Sequence, residues 1–186
     1  VTKRHRLGEL ADKTGAWGPP KKAPDGTALC RWCERPVKKP RLTFCSGDCV
    51  HEWKLRSNPG YVRGLVFKRD KGVCASCHLD TLTLQARWRR VVVSTPDLQR
   101  WFWREGQGWL NTPPPEAVPI LEEAARLGFS LRRVRSVVDG KSPWEADHAK
   151  ALIEKGGHDL DNVRTLCVGC HDRETVALSK RRRSKK

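Results

Sequence analysis

Eight cysteines fall into four close pairs, Cys30/Cys33, Cys45/Cys49, Cys74/Cys77 and Cys167/Cys170, with none left over. Three pairs are Cys-x-x-Cys, a spacing at which two thiolates reach one tetrahedral ion from a tight knuckle. Two pairs complete a four-cysteine zinc site. Cys30, Cys33, Cys45 and Cys49, with two, eleven and three residues between successive ligands, form the first site. The second joins Cys74 and Cys77 to Cys167 and Cys170 across a long intervening stretch. Disulfides are the alternative chemistry, but nothing in the sequence marks secretion. No βαβ pattern surrounds any pair, which disfavours a thioredoxin-like redox use.

The second chemical signal is charge. Lys and Arg number 37 against 21 Asp and Glu, a formal net charge of +16. Residues 179–186 hold six cations and no acid, so the tail supplies less than half of the excess. A broadly cationic surface attracts polyanions, and nucleic acid is the commonest inside a cell. The alternative is a solvated basic surface. No stretch approaches the roughly 20 apolar residues of a membrane span, and composition excludes collagen and coiled-coil classes. The chain starts at Val1 and contains no Met, as expected of a fragment, a processed end or a non-AUG start.

The richest segment is Trp144-Glu145-Ala146-Asp147-His148, then Gly156-Gly157, Leu160-Asp161-Asn162, and Leu166-Cys167-Val168-Gly169-Cys170-His171. Asp147-His148, Asn162 and His171, with thirteen and then eight residues between, resemble the HNH endonuclease motif. The flanking knuckles are similar to the McrA-like branch. A four-cysteine finger, a Cys-x-x-Cys and an HNH core in that order resemble the module attached to some annealing helicases. The resemblance covers about residues 72–77 and 144–178, and more loosely residues 29–72.

The resemblance implies a ββα-metal fold with one divalent ion between strand and helix. It implies Asp147 and His171 as ligands of that ion, His148 as general base, and Asn162 as the brace of the loop holding His148. Physical chemistry is compatible. An ordinary imidazole titrates near 6.5 and accepts a proton around neutrality. Neighbours on a strand point to opposite faces, so Asp147 and His148 can serve different partners. One carboxylate and one imidazole leave an ion open positions for phosphate oxygens and water, with Mg²⁺ or Mn²⁺ as the expected ion. His171 follows Cys170 directly, so the second zinc site also positions a ligand.

The segment departs from the family pattern at Ala149-Lys150-Ala151, where many members carry an apolar β-branched residue and a proline. Thr175 stands where some relatives place a second helical His. Glu145 shares the Asp147 strand face and is read as supporting or structural. His158 is read as an exposed loop residue. His5, His51 and His78 lack motif company, and His51 is not needed where four Cys suffice.

Local elements must hold these groups in place. Residues 1–28, rich in Gly, Pro and Lys, read as a basic irregular arm, followed by the finger over 29–56. Ser46 is placed to cap a helix through Cys49 to Leu55. Asn58-Pro59 starts another, with Val62, Leu65 and Val66 inward, ended by Gly72. Residues 57–178 form the nuclease domain, interrupted by a mostly helical Trp-rich insertion over about 79–140, and 179–186 is a basic tail. Within the insertion, Thr95-Pro96-Asp97 opens a short helix with Trp101, Phe102 and Trp103. Ala117, Ile120, Leu121, Ala124 and Leu127 make a helical stripe closed by Gly128. Asp139-Gly140 is a hairpin-type turn signal between residues 134–138 and the segment ending at His148. Trp88, Trp101 and Trp103 stand among arginines. They could stack on bases, and the preferred reading for at least half of them is a small apolar core.

The expected protein is therefore α+β, a zinc-stapled ββα nuclease with two structural zinc ions, hydrolysing DNA in a reducing compartment inside the cell. Arg173, Lys180, Arg181, Arg182 and Arg183 are the expected nucleic-acid contacts, with duplex, nicked or branched DNA as substrate and no membrane or small organic cofactor. The rivals are a non-catalytic zinc module that binds nucleic acid, and an RNA-cleaving nuclease. Zinc binding alone does not require Asp147, His148 and Asn162.

Overall fold

The computed structural model describes residues 21–103 and 112–184. The first twenty residues of the expected arm, with His5, lie outside the described residues, as do residues 104–111, the side chain of Trp103 and the last two lysines. The chain divides into two compact units. One comprises residues up to Leu65 with Lys150–Asn162; the other comprises Val66–Ala149 and Val163–Lys186.

The first unit is organised by its cysteines. Cys30, Trp32, Val37 and Cys49 form its buried cluster, with Phe44 and Trp53 packed alongside. Helix α1 (Gly47–Ser57) begins as the sequence predicts, because the Ser46 side chain accepts a hydrogen bond from the Cys49 N–H. Arg56, near the end of α1, is only 5% exposed, yet its charge is well used. The guanidinium lies 4.6 Å from the Trp32 ring centroid, donates to Glu52, and sits 3.6 Å from Asp159. Asp159 belongs to the Lys150–Asn162 stretch, so that stretch is tied to the finger. Helix α2 (Pro59–Asp70) follows, with the Asn58 carboxamide accepting from the Tyr61 N–H. Its last five residues count to the second unit.

The second unit holds helices α3 (Thr81–Ser94), α4 (Pro96–Trp103), α5 (Val118–Leu127) and α6 (Leu131–Val138). Strand β1 (Trp144–His148), strand β2 (Val163–Cys167) and helix α7 (Val168–Arg183) complete it. The α+β class and the ββα order are as expected. The Asp-Gly signal is not a hairpin: residues 134–138 close helix α6, and Asp139-Gly140 leads from that helix toward β1. Four of the eight α6 residues are Leu or Val at helical spacing, and Val134, Val137 and Val138 are buried, so amphipathic burial outweighs their strand propensity.

The insertion does not form a satellite core. Leu84, Trp88, Val92, Leu98, Phe102, Ile120 and Val134 share one buried cluster with Leu166, Cys167, Val168 and Cys170. Trp88 is 1% exposed, and its indole N–H donates to Glu123 on α5. Helix α7 approaches the insertion closely at Gly169, where a Cβ would stand 2.0 Å from the Leu127 carbonyl oxygen. Helix α7 and the insertion are therefore packed as one body.

Candidate active site

The two cysteine clusters pair as the spacing predicts. In the first unit the Cys33–Cys45 and Cys45–Cys49 sulfur separations are 3.5 Å, and Cys33–Cys49 is 3.7 Å. In the second, Cys77 and Cys167 are 3.7 Å apart. All four sulfurs of each cluster lie within 4.8 Å of one another. A tetrahedron with Zn–S bonds of about 2.3 Å has sulfurs about 3.8 Å apart, whereas a disulfide needs about 2 Å. The donor sets fit zinc.

Two arginines temper the thiolate charge. The Arg35 Nε donates to Cys33 Sγ at 3.3 Å, and Arg173 donates to Cys170 Sγ at 3.0 Å. Burial pushes the Cys33 thiol up, but hydrogen bonds with Arg35 and with Cys45 and Cys30 outweigh it and hold it at about 6. Burial dominates at Cys45, reinforced by Cys33 and Cys49, and raises it to about 12. In the second cluster burial also pushes Cys74 up, but backbone N–H groups outweigh it and bring the thiol to about 7. Burial drives Cys167 up.

The second cluster builds the site by packing. Cys167 ends β2, Cys170 lies in the first turn of α7, and His171 is the next residue. Val66 is fully buried in the same unit, and Phe67 stacks on Trp144 at 5.9 Å. Asp70 accepts from the Thr165 N–H, and the Ala75 N–H donates to the Thr165 carbonyl. Strand β2 is thus held between the end of α2 and the Cys74–Cys77 knuckle, and β1 pairs with it antiparallel. In that register Asp147 faces Arg164 and His148 faces Val163.

Asp147 on β1 and His171 on α7 lie near one another. His171 Nε2 lies 3.9 Å from Asp147 Oδ1. That is too long for a hydrogen bond, and it lies within the roughly 4.2 Å that separates the farthest two ligands at about 2.1 Å from one cation. The other ring nitrogen, Nδ1, is buried without a hydrogen bond, 3.8 Å from Asp172 Oδ1. The residues present fit a divalent ion at Asp147 and His171. His148 is half-buried next to Asp147 on β1. Burial pushes its imidazole below the ordinary value, and the Asp147 charge opposes that only in part, so the neutral, proton-accepting form is favoured.

Asn162 lies in the first unit and closes the loop between the strands. Its Oδ1 accepts from the Lys150 N–H at 2.9 Å. Its Nδ2 donates to the carbonyls of Lys150 at 3.0 Å and Gly157 at 2.8 Å. Gly156 is required by the same loop, since a Cβ there would lie 1.9 Å from the Lys150 carbonyl oxygen.

Other sequence candidates have different surroundings. His51 Nδ1 is 2.7 Å from the Tyr61 hydroxyl, outside the first cysteine cluster. His158 is half-buried rather than exposed, Glu145 is half-buried on β1, and His78 is exposed. Arg173 is exposed and reaches the Leu127 carbonyl as well as Cys170. Lys180, Arg181, Arg182 and Arg183 are exposed in the last turn of α7. Sequence reasoning passed over Arg164 and Glu174. Arg164 pairs across the sheet with Asp147, and only strand register reveals that. Among the described residues no helix is long and apolar enough to cross a membrane.

Residues 135–176 match the HNH endonuclease family. The chain is 32% identical over 171 residues to DNA annealing helicase and endonuclease ZRANB3 of Mus musculus, covering 85% of this chain and 14% of that protein. It is 30% identical over 168 residues to the Homo sapiens protein of the same name, with the same coverage. The chain thus spans about 14% of the length of these relatives. The crystal structure of the human ZRANB3 HNH domain aligns with a TM-score of 0.47 at 26% identity, over 69% of this chain and 95% of that one.

Proposed function

We propose that this chain carries an HNH endonuclease domain and that it hydrolyses DNA phosphodiester bonds with a single divalent ion, Mg²⁺ or Mn²⁺. The observation that carries the reading is the 3.9 Å approach of Asp147 Oδ1 and His171 Nε2, with His148 adjacent on the same strand. Asp147 and His171 hold the ion. When bound, it supplies charge stabilisation at the phosphate and the leaving oxygen. His148 takes the proton of the attacking water, a role that suits an imidazole kept neutral by burial. Asn162 fixes Lys150, two residues beyond His148, and so braces the loop that follows β1.

DNA is the proposed substrate because the net charge is strongly positive and the relatives are named for action on DNA. The experiment is cleavage of supercoiled plasmid, linear duplex, branched DNA and RNA by the zinc-loaded protein, with and without Mg²⁺ or Mn²⁺. DNA nicking that depends on the divalent ion is expected. Cleavage of RNA alone would identify an RNA nuclease, and binding without cleavage of any substrate would leave a non-catalytic module.

Two further outcomes are expected. Asn162→Ala should slow nicking by roughly 10-fold without changing zinc content, since it removes three loop hydrogen bonds and no reacting group. Removing residues 179–186 should weaken DNA binding broadly and flatten its salt dependence, by about 0.9 in slope for each phosphate no longer neutralised. Cleavage at saturating DNA should survive that truncation. Unchanged binding at every salt concentration would make the basic end passive.

A further inference from the structure

We infer that Arg164, anchored by Glu174, is a positioning residue that confines Asp147 to one carboxylate oxygen on the divalent ion and thereby favours small octahedral ions over Ca²⁺. The inference rests on the proposed ion site at Asp147 and His171. The two oxygens of Asp147 face different partners. Oδ1 is directed to His171 Nε2 at 3.9 Å, and Oδ2 is 3.6 Å from the Arg164 guanidinium. The same guanidinium nitrogen lies 3.4 Å from Glu174 Oε1. Arg164 reaches Asp147 from the directly opposed position on β2, and Glu174 is three residues beyond His171 on α7. Residues three apart share a helix face, so the turn that presents the ligand also presents the anchor.

These side chains are only partly open to water, at 21% for Asp147 and 29% for Arg164. A guanidinium placed between the Asp147 and Glu174 carboxylates is a positive boundary on one side of Asp147. Denticity decides which ions such a site accepts. Ca²⁺ takes six to eight oxygens and readily accepts a bidentate carboxylate, whereas Mg²⁺ demands near-octahedral geometry with shorter bonds. Holding Oδ2 away from the ion leaves a monodentate ligand. Partners beyond the ligands themselves typically change metal affinity by about 10–100-fold.

The test is calorimetric titration of Mn²⁺ and Ca²⁺ into zinc-loaded wild type, Arg164→Met, Arg164→Lys and Glu174→Gln. Zinc content and circular dichroism are measured for each. Both titrants are divalent, so losing the arginine charge alters the two affinities in parallel and cancels in their ratio. Arg164→Met should shift the ratio of affinities toward Ca²⁺ by about 10-fold, in the range for such partners. Glu174→Gln should shift it the same way by a smaller factor, and Arg164→Lys should restore part of the wild-type preference. A ratio unchanged in both Arg164→Met and Glu174→Gln, with folded, zinc-loaded proteins, would overturn the inference. If Arg164→Met fails to fold, Glu174→Gln decides alone. Asp147→Ala separates the two levels: if it leaves wild-type Mn²⁺ binding intact, the ion site itself is wrong. If it abolishes binding while the ratio stays fixed in the other variants, only the positioning role is lost.

Discussion

His148→Ala is expected to slow plasmid nicking by roughly 10²–10⁴-fold at saturating DNA, with zinc content, fold and DNA affinity nearly unchanged. A general base acts on the water that attacks, and it contributes little to ground-state binding. Position supports that division of roles. His148 neighbours Asp147 on β1 and is opposed by the buried Val163, whereas Asp147 is opposed by Arg164 and approaches His171. Removing the imidazole therefore leaves the proposed ion ligands and both cysteine clusters in place. Asp147→Ala and His171→Ala should lose activity for a different reason, weakened ion binding, and part of their loss should return at high Mn²⁺. Titrating Mn²⁺ in the nicking assay distinguishes the two kinds of loss. A His148→Ala protein that nicks at the wild-type rate would show that another group takes the proton.

Cys170→Ser should have the larger effect on stability. Bound zinc should fall from two per chain to one, and the second unit should lose cooperative unfolding. Cys167 and Cys170 are both buried, and they belong to the same core as Trp88, Phe102 and Val134. Structural zinc contributes apparent binding free energies of about 10–16 kcal/mol near neutral pH. Whole domains are stable by only about 5–15 kcal/mol. Losing one thiolate therefore removes a term as large as the stability itself, and Arg173 loses its sulfur acceptor as well. Elemental analysis with thermal denaturation followed by circular dichroism checks this. The control is Cys30→Ser, which should also lose one zinc while leaving the α3–α6 core folded. Two zinc ions retained in Cys170→Ser would show that this cluster does not hold its ion through four cysteines.

Sequence alone determined the parts of this protein whose signals are local or chemically restrictive. Ser46 caps α1 because a short hydroxyl ahead of an N-terminal turn can accept an orphan N–H. The stripe from Ala117 to Leu127 is a helix because its apolar spacing leaves one buried face. Cys74 and Cys77 join Cys167 and Cys170 because close pairs of thiolates, with none left over, need a common ion however long the chain between them. The ββα order around Asp147, Asn162 and His171 was legible through the resemblance of that segment to the HNH motif.

Tertiary structure decided the rest. Residues 134–138 have strand propensity and precede an Asp-Gly turn, yet they are helical because α6 buries Val134, Val137 and Val138 in a core made with distant segments. The Trp-rich insertion is part of the core of the second unit rather than an appendage, since its apolar faces, besides packing on one another as Trp88 does on Phe129, share one buried cluster with Leu166 of β2 and Val168 of α7. Arg164 carries no motif, and nothing near it in the chain hints at a role. Its relation to Asp147 is set by the register of two strands joined by a long loop, and its relation to Glu174 by the docking of α7 on that sheet. Interactions of this kind depend on packing between remote residues, which local propensity and spacing do not encode.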